Sequence, residues 1–140
     1  MAKQHVVATV KQVLAGWSPV AGGKPVIVFP NGPEKPPPAP APYLMVQFPV
    51  SNESRTTHSR TYVEEGAVRV VILAARGNGT DWPLERGEEI AKLFRSRKVS
   101  GVEFLTPTSP LMNDDNDDGN YFRTSVIVPY TYHFDDPDED

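Results

Sequence analysis

Cysteine is absent from this 140-residue chain. That removes disulfide scaffolds, thiolate zinc sites and cysteine nucleophiles from consideration. Long hydrophobic runs are missing as well, since no apolar stretch approaches the roughly 18 residues that cross a bilayer. The opening MAKQHVVATVKQ holds too short an apolar segment for a secretory signal, so a soluble cytoplasmic protein is the expectation. Histidine is scarce. His5, His58 and His133 show no His-x-x-x-His or His-x-Glu spacing for a metal, and read as ordinary surface or semi-buried side chains. There is no Gly-x-Ser-x-Gly elbow and no Ser-x-x-Lys pair, and Gly77-Asn78-Gly79 lacks the Lys-Ser/Thr of a phosphate loop. Glu64 and Glu65 are adjacent, so on a strand they point to opposite faces and cannot converge as a catalytic pair; followed by Gly66, they mark a bend or bulge. A non-enzyme is expected.

Basic residues are almost missing from one end. Nine of the 18 acidic residues follow Leu111, where Arg123 is the only Lys or Arg. The first 112 residues then carry 13 basic against 9 acidic groups, while the whole chain is at −4. This imbalance is too weak to indicate nucleic-acid binding, but it suits head-to-tail contact between copies, acidic end against basic body.

Proline is abundant, at 15 residues. Seven of the 13 residues from Pro30 to Pro42 are proline. Proline fixes φ and donates no backbone hydrogen bond, so this stretch reads as a stiff, extended arm or loop. Such an arm loses little entropy on docking, which points to assembly.

The remaining pattern is α+β. Val6, Val10, Val13, Leu14 and Trp17 recur at helical spacing, predicting a helix over Ala2 to Trp17 that Gly16 and Ser18-Pro19 end. Val26 to Phe29 and Tyr43 to Val50 read as strands. The polar Ser51 to Arg60 reads as a loop, cationic at Arg55, His58 and Arg60. Thr61 to Arg76 is rich in β-branched residues and reads as a central strand. A second helix starts at Thr80 or Asp81 with Pro83 in its first turn, and places Leu84, Gly87, Ala91 and Phe94 along one face. Arg86, Glu88, Glu89, Lys92 and Arg95 are expected to point away from that face, and Trp82 to staple the helix start, an exposed interface anchor being the alternative. Val99 to Leu105 reads as a short strand and Thr106 to Asn120 as a loop. Tyr121 to Phe134 reads as a long strand that Pro129 places near an edge or bulge. The order is α-β-β-β-α-β-β, with a mixed or mostly antiparallel sheet of about five strands and two helices packed on one face. Residues 1–134 form a single domain, with an acidic loop at 113–120, and the acidic tail 135–140 is expected to be disordered.

Within that loop, Asp114-x-Asn116-x-Asp118-Gly119 matches the first half of a calcium loop, in which oxygen ligands alternate and glycine permits the turn. Ser125 stands where a bidentate Glu belongs, so Asp114, Asn116 and Asp118 are candidates for a weak calcium site only. A solvated turn is the plainer reading.

The helix ending at Trp17-Ser-Pro-Val, the PVIVFPNGP corner and its proline-rich continuation, and the strand YLMVQFPV are followed by AVRVVILAA. Then come a helix ending AKLFRS, a short GVEFLTP strand and a closing YFRTSVIVPYTY. Over roughly Val6 to Phe134 this ensemble resembles the phage tail terminator (tail-completion) family, and is similar to the minor tail protein U of lambda-like siphophages. The resemblance implies a structural virion protein, from a phage or prophage, with no cofactor. Its subunits would form a homo-hexameric ring that caps the tail tube, ends tail polymerisation and offers the surface that joins the head connector. DNA would pass through the lumen without specific binding, and no membrane would be involved. The implied partners are other copies of the chain (hexameric on assembly, with a monomer in solution as the alternative state), the tail tube protein and the head–tail connector protein. The host bacterial cytoplasm during assembly, and then the virion tail, would be its locations. Phe29, Pro30, Asn31, Pro36, Pro37, Pro38, Arg55 and Arg60 are the candidate interface residues. The alternatives are another head–tail joining or neck protein, and a calcium-binding interaction module.

Overall fold

A computed structural model describes residues 4–17, 25–30, 32, 42–55, 61–75, 81–108, 111–113 and 121–135. Helix α1 (Gln4–Ala15) and helix α2 (Asp81–Phe94) bury their apolar stripes against the same face of one sheet. Val6, Val10, Val13, Leu14 and Trp17 come from α1 and its last turn, and Ile90, Ala91 and Phe94 from α2. Among the described residues the sheet has seven strands: β1 (Val26–Val28), β2 (Tyr43–Arg55), β3 (Thr61–Ala75), β4 (Lys98–Val99), β5 (Val102–Phe104), β6 (Leu111–Asn113) and β7 (Tyr121–Asp135). Their order is β1-β2-β3-β7-β5-β4, with β6 also on β7. The fold is therefore α+β, with two more strands than expected; those extra strands, β4 and β6, are only two and three residues long.

Alternation along the long strands sorts the two faces. On β3, Val68, Val70 and Ile72 face the helices, paired with Val128, Val126 and Thr124 of β7. The intervening Val71 and Leu73 form a second cluster with Tyr43 on the opposite face, where Val28 and Met45 pack against it. Thr61 to Ala75 is central, with β2 on one side and β7 on the other.

The sheet is mixed because β1 runs parallel to β2, Val26 beside Tyr43 and Val28 beside Met45. Parallel neighbours need a crossover of a dozen or so residues, where a hairpin needs two. Most of the proline-rich stretch between β1 and β2, expected as a stiff, extended arm, lies outside the described residues (31 and 33–41). It begins in a turn: the Gly32 N–H donates to the Phe29 carbonyl at 3.0 Å.

Several expectations need correction. Ser51–Arg55 belongs to β2 and extends the β2–β3 hairpin, with Arg55 opposite Tyr62. Polar composition misled there because most of these residues are exposed on the strand. Gly66 makes no bulge, lying in unbroken register between Ser51 and Tyr130. The irregularity falls instead at Phe48-Pro49, between Gln47 and Val50 of β2, where a proline is tolerated. Val99 to Leu105 is a hairpin: Ser100 (φ 52°) and Gly101 (φ 84°) join β4 to β5 as a two-residue turn with both φ positive. Pro129 is in a central strand. Its carbonyl accepts from the Leu105 N–H at 2.9 Å, so its missing N–H faces the gap between the β5 and β6 pairings. Residues 105–108 run past that gap, and the Thr108 hydroxyl accepts from the Ile127 N–H at 3.1 Å.

Candidate functional site

The long strands β2, β3 and β7 reach 135 and 61, and at that end they carry a polar and aromatic constellation on the helix-facing side. Ser51, Gly66 and Tyr130 lie side by side in register across the three strands. The Tyr130 hydroxyl donates to Glu64 Oε2 at 2.7 Å. The Ser51 hydroxyl lies 3.4 Å from the same phenol oxygen, and with the tyrosine proton committed to the carboxylate, Ser51 is the donor there. Tyr130 is 1% exposed and Glu64 2% exposed. To reach Ser51 from β7, the Tyr130 side chain must extend across Gly66, where a hydrogen atom stands in for a side chain.

Burial holds the Tyr130 phenol well above its ordinary range; the Ser51 contact lowers it, and the hydrogen bond and negative charge of Glu64 raise it again. A phenol so placed remains a neutral donor. Chemically the group is a donor–acceptor chain joining three strands.

An aromatic ladder runs beside it. His5 stacks on Tyr132 at 4.9 Å between centroids, Tyr132 on Phe134 at 5.4 Å, and Phe134 on Tyr62 at 5.6 Å. His5 also donates through Nε2 to the Ser100 carbonyl at 2.6 Å, tying the start of α1 to the β4–β5 turn. His133 is exposed on the opposite face, and His58 lies outside the described residues.

At the other end of α1, Trp17 Nε1 donates to Glu89 Oε1 at 3.2 Å, and Glu89 Oε2 pairs with Arg86 Nη2 at 2.7 Å. Arg86 is 1% exposed, so it does not point away from the core as its charge suggested. It pairs also with Glu85 at 3.3 Å and lies over the Trp82 ring at 5.6 Å. Trp82 is thus inside the helix and partly buried, not a staple ahead of it. Leu84 is only half-buried, whereas Gly87, Ile90, Ala91 and Phe94 are buried as the spacing predicts.

Of the candidate interface residues, Phe29 is half-buried against the core, with Lys11 Nζ 5.3 Å from its ring centroid. Pro30 is exposed at the turn. Arg55 ends β2, while Asn31, Pro36, Pro37, Pro38 and Arg60 lie outside the described residues. So do Asp114, Asn116 and Asp118; among the described residues no three His, Asp or Glu side chains gather as a metal site. No helix of the described residues is long and apolar enough to cross a membrane.

Two surfaces lie outside the helix–sheet core among the described residues, the first only partly accessible because Tyr43, Val71 and Leu73 are buried on it. The helix-free face of the sheet presents Gln47, Arg69, Ser125, Ile127 and Thr131, with Arg69 donating to Gln47 at 3.4 Å. Among the described residues, β2 from Val46 to Arg55 pairs only with β3.

Sequence reasoning missed the Ser51–Glu64–Tyr130 chain and the burial of Arg86, and both had a signal. Glu64 is in phase with Val68, Val70 and Ile72, the helix-facing side of β3. Arg86 stands four residues from both Trp82 and Ile90, on one helix face.

No protein-family model matches the chain, and no curated protein matches it.

Proposed function

We propose that the protein is a structural component of a phage or prophage tail, a terminator that closes the tail tube as a hexameric ring and presents the surface to which the head connector joins. The observation that carries this reading is the arrangement of the chain: two helices on one face of a sheet built from three long strands, with the Phe29–Gly32 corner between β1 and the return to β2. That arrangement agrees with the fold the sequence resemblance implies.

Ring assembly asks each subunit for two different patches that meet heterologously. The open stretch of β2 and the helix-free face, set apart on one sheet, suit that demand. The tail tube protein and the connector protein are the partners in this reading, and DNA crosses the lumen without being read. Assembly takes place in the bacterial cytoplasm and the product resides in the virion tail.

The test is to mix the purified protein with purified tail tubes and follow assembly by light scattering and negative-stain imaging. Six-fold rings, free or at tube ends, are expected. A monomer that leaves tube ends bare and tube length unregulated overturns the reading.

A further inference from the structure

Four cations gather where α2 gives way to β4. Lys92, Arg95, Arg97 and Lys98 are all exposed. Backbone hydrogen bonds hold the run in place. The Arg95 N–H donates to Ala91 O at 2.9 Å and the Arg97 N–H to Phe94 O at 3.2 Å; Ser96 (φ 51°) turns the chain, and the Phe104 N–H donates to the Arg97 carbonyl at 2.7 Å. The run thus wraps the outer edge of the sheet. Lys92 and Arg95 lie on the helix side. Lys98, opposite Glu103 and one residue from the half-buried Val99, points to the helix-free side. Among the described residues Lys92, Arg95 and Lys98 make no ion pair, and Arg97 reaches back only to the Leu93 carbonyl at 3.4 Å. Glu88 and Glu103 are the acids nearby, both exposed. The location favours positive charge, since a helix C-terminus carries negative partial charge.

The chain carries its own complement. Residues 135–140 hold five acidic side chains in six positions, and Asp135 is the last residue of central strand β7. The cations occupy the β4 edge of the sheet. We propose that the Lys92–Lys98 edge binds the acidic 135–140 segment of a second copy, a heterologous contact that repeats from subunit to subunit. This deepens the assembly reading, yet it can be tested on the protein alone, so its failure is separable from a failure to cap tubes.

The experiment is a charge swap in the full chain. One variant reverses the edge (Lys92→Glu, Arg95→Glu, Lys98→Glu); another reverses the acidic segment (Asp136→Lys, Asp138→Lys, Asp140→Lys). Sedimentation at low and physiological salt reads self-association, and circular dichroism checks folding. Should the reversed edge fail to fold, the neutral set Lys92→Gln, Arg95→Gln, Lys98→Gln replaces it. The expected result is association of the unmodified protein that weakens with salt and is weakened at least about tenfold in either variant alone. A one-to-one mixture of the two reversed variants restores it, because each then meets an opposite charge in the other. Three results overturn the proposal: a salt-insensitive monomer at all concentrations, unchanged association after edge reversal, or loss that mixing does not restore. Binding of a labelled DNA duplex that falls with edge reversal, with self-association unaltered, assigns the edge to phosphate instead.

Discussion

Tyr130 and Glu64 are bound to each other at 2.7 Å although neither is the other's direct cross-strand partner: Tyr130 sits opposite Gly66, and Glu64 is two residues farther along β3 on the same face. The diagonal is within reach of a long aromatic side chain. Because both groups are buried, the bond satisfies a carboxylate that water reaches poorly. Replacing Tyr130 with Phe keeps the ring and removes the donor. The expected loss is about 1–3 kcal/mol of stability, the usual cost of depriving a buried charged acceptor. Thermal melts of Tyr130→Phe, Glu64→Gln and the double variant check it; the two single losses should be clearly non-additive, as contacting residues require.

The same tyrosine predicts an alkaline weakness. Its phenol is held above the ordinary 10.0 in the folded state, mainly by burial. An unfolded chain therefore releases that proton at lower pH than the folded one. Above the ordinary tyrosine value the unfolded state binds fewer protons, so stability falls as pH rises. The contribution is intact below that value and is lost progressively above it. Denaturant titrations from pH 8 upward should show a steeper decline for the unmodified protein than for Tyr130→Phe. Parallel slopes for the two proteins contradict this.

Gly66 is predicted to be intolerant of a side chain for a reason unrelated to backbone freedom. Its Cα hydrogen points to the face that the Tyr130 side chain crosses on its way to Ser51. Gly66→Val adds β-propensity yet should destabilise by roughly 1–3 kcal/mol through overpacking. Tyr130→Ala in the Gly66→Val background should recover part of the loss, a rescue that a turn-forming glycine could not show.

The two helices and the long β3 were legible because their apolar periods are long and clean, from Val6 to Trp17, from Val68 to Leu73, and from Gly87 to Phe94. Short pieces were not: β4 and β6 hold five residues together, too few for alternation to register. Ser100-Gly101 carried a turn signal inside an otherwise strand-like run, and the run prevailed in the reading. Ser51–Arg55 was hidden because an open strand edge is polar, as a loop is. The Tyr130–Glu64 bond depends on strand register, which no single strand reveals. The parallel β1–β2 pair depends on which direction a proline-rich connection takes, and composition is silent on direction.

The buried Arg86 and the half-buried Glu89 form a pair that also holds Trp17, so removing one member differs from removing both. Glu89→Ala removes the 2.7 Å ion-pair partner of a guanidinium at 1% exposure, and takes this acceptor from Trp17 Nε1. The expected cost is about 3 kcal/mol. Arg86→Met with Glu89→Leu should return most of it, because apolar replacement of a buried pair is often neutral or better. Chemical denaturation of the three proteins decides whether the pair acts as a unit.

Thr124 supplies the converse case. It is fully buried on the helix-facing side of β7, opposite Ile72, and among the described residues its hydroxyl has no hydrogen-bond partner. A buried hydroxyl left unpaired costs on the order of 1–3 kcal/mol relative to water. Valine matches threonine in shape and suits a strand. Thr124→Val should therefore raise stability by about 1 kcal/mol, read as a higher midpoint with an unchanged denaturant slope. A fall in stability would mean that the hydroxyl is bonded in solution and that β7 draws part of its order from it. The gain should add simply to the loss caused by Tyr130→Phe, since the two positions are six residues apart on the strand, roughly 20 Å, and share no partner.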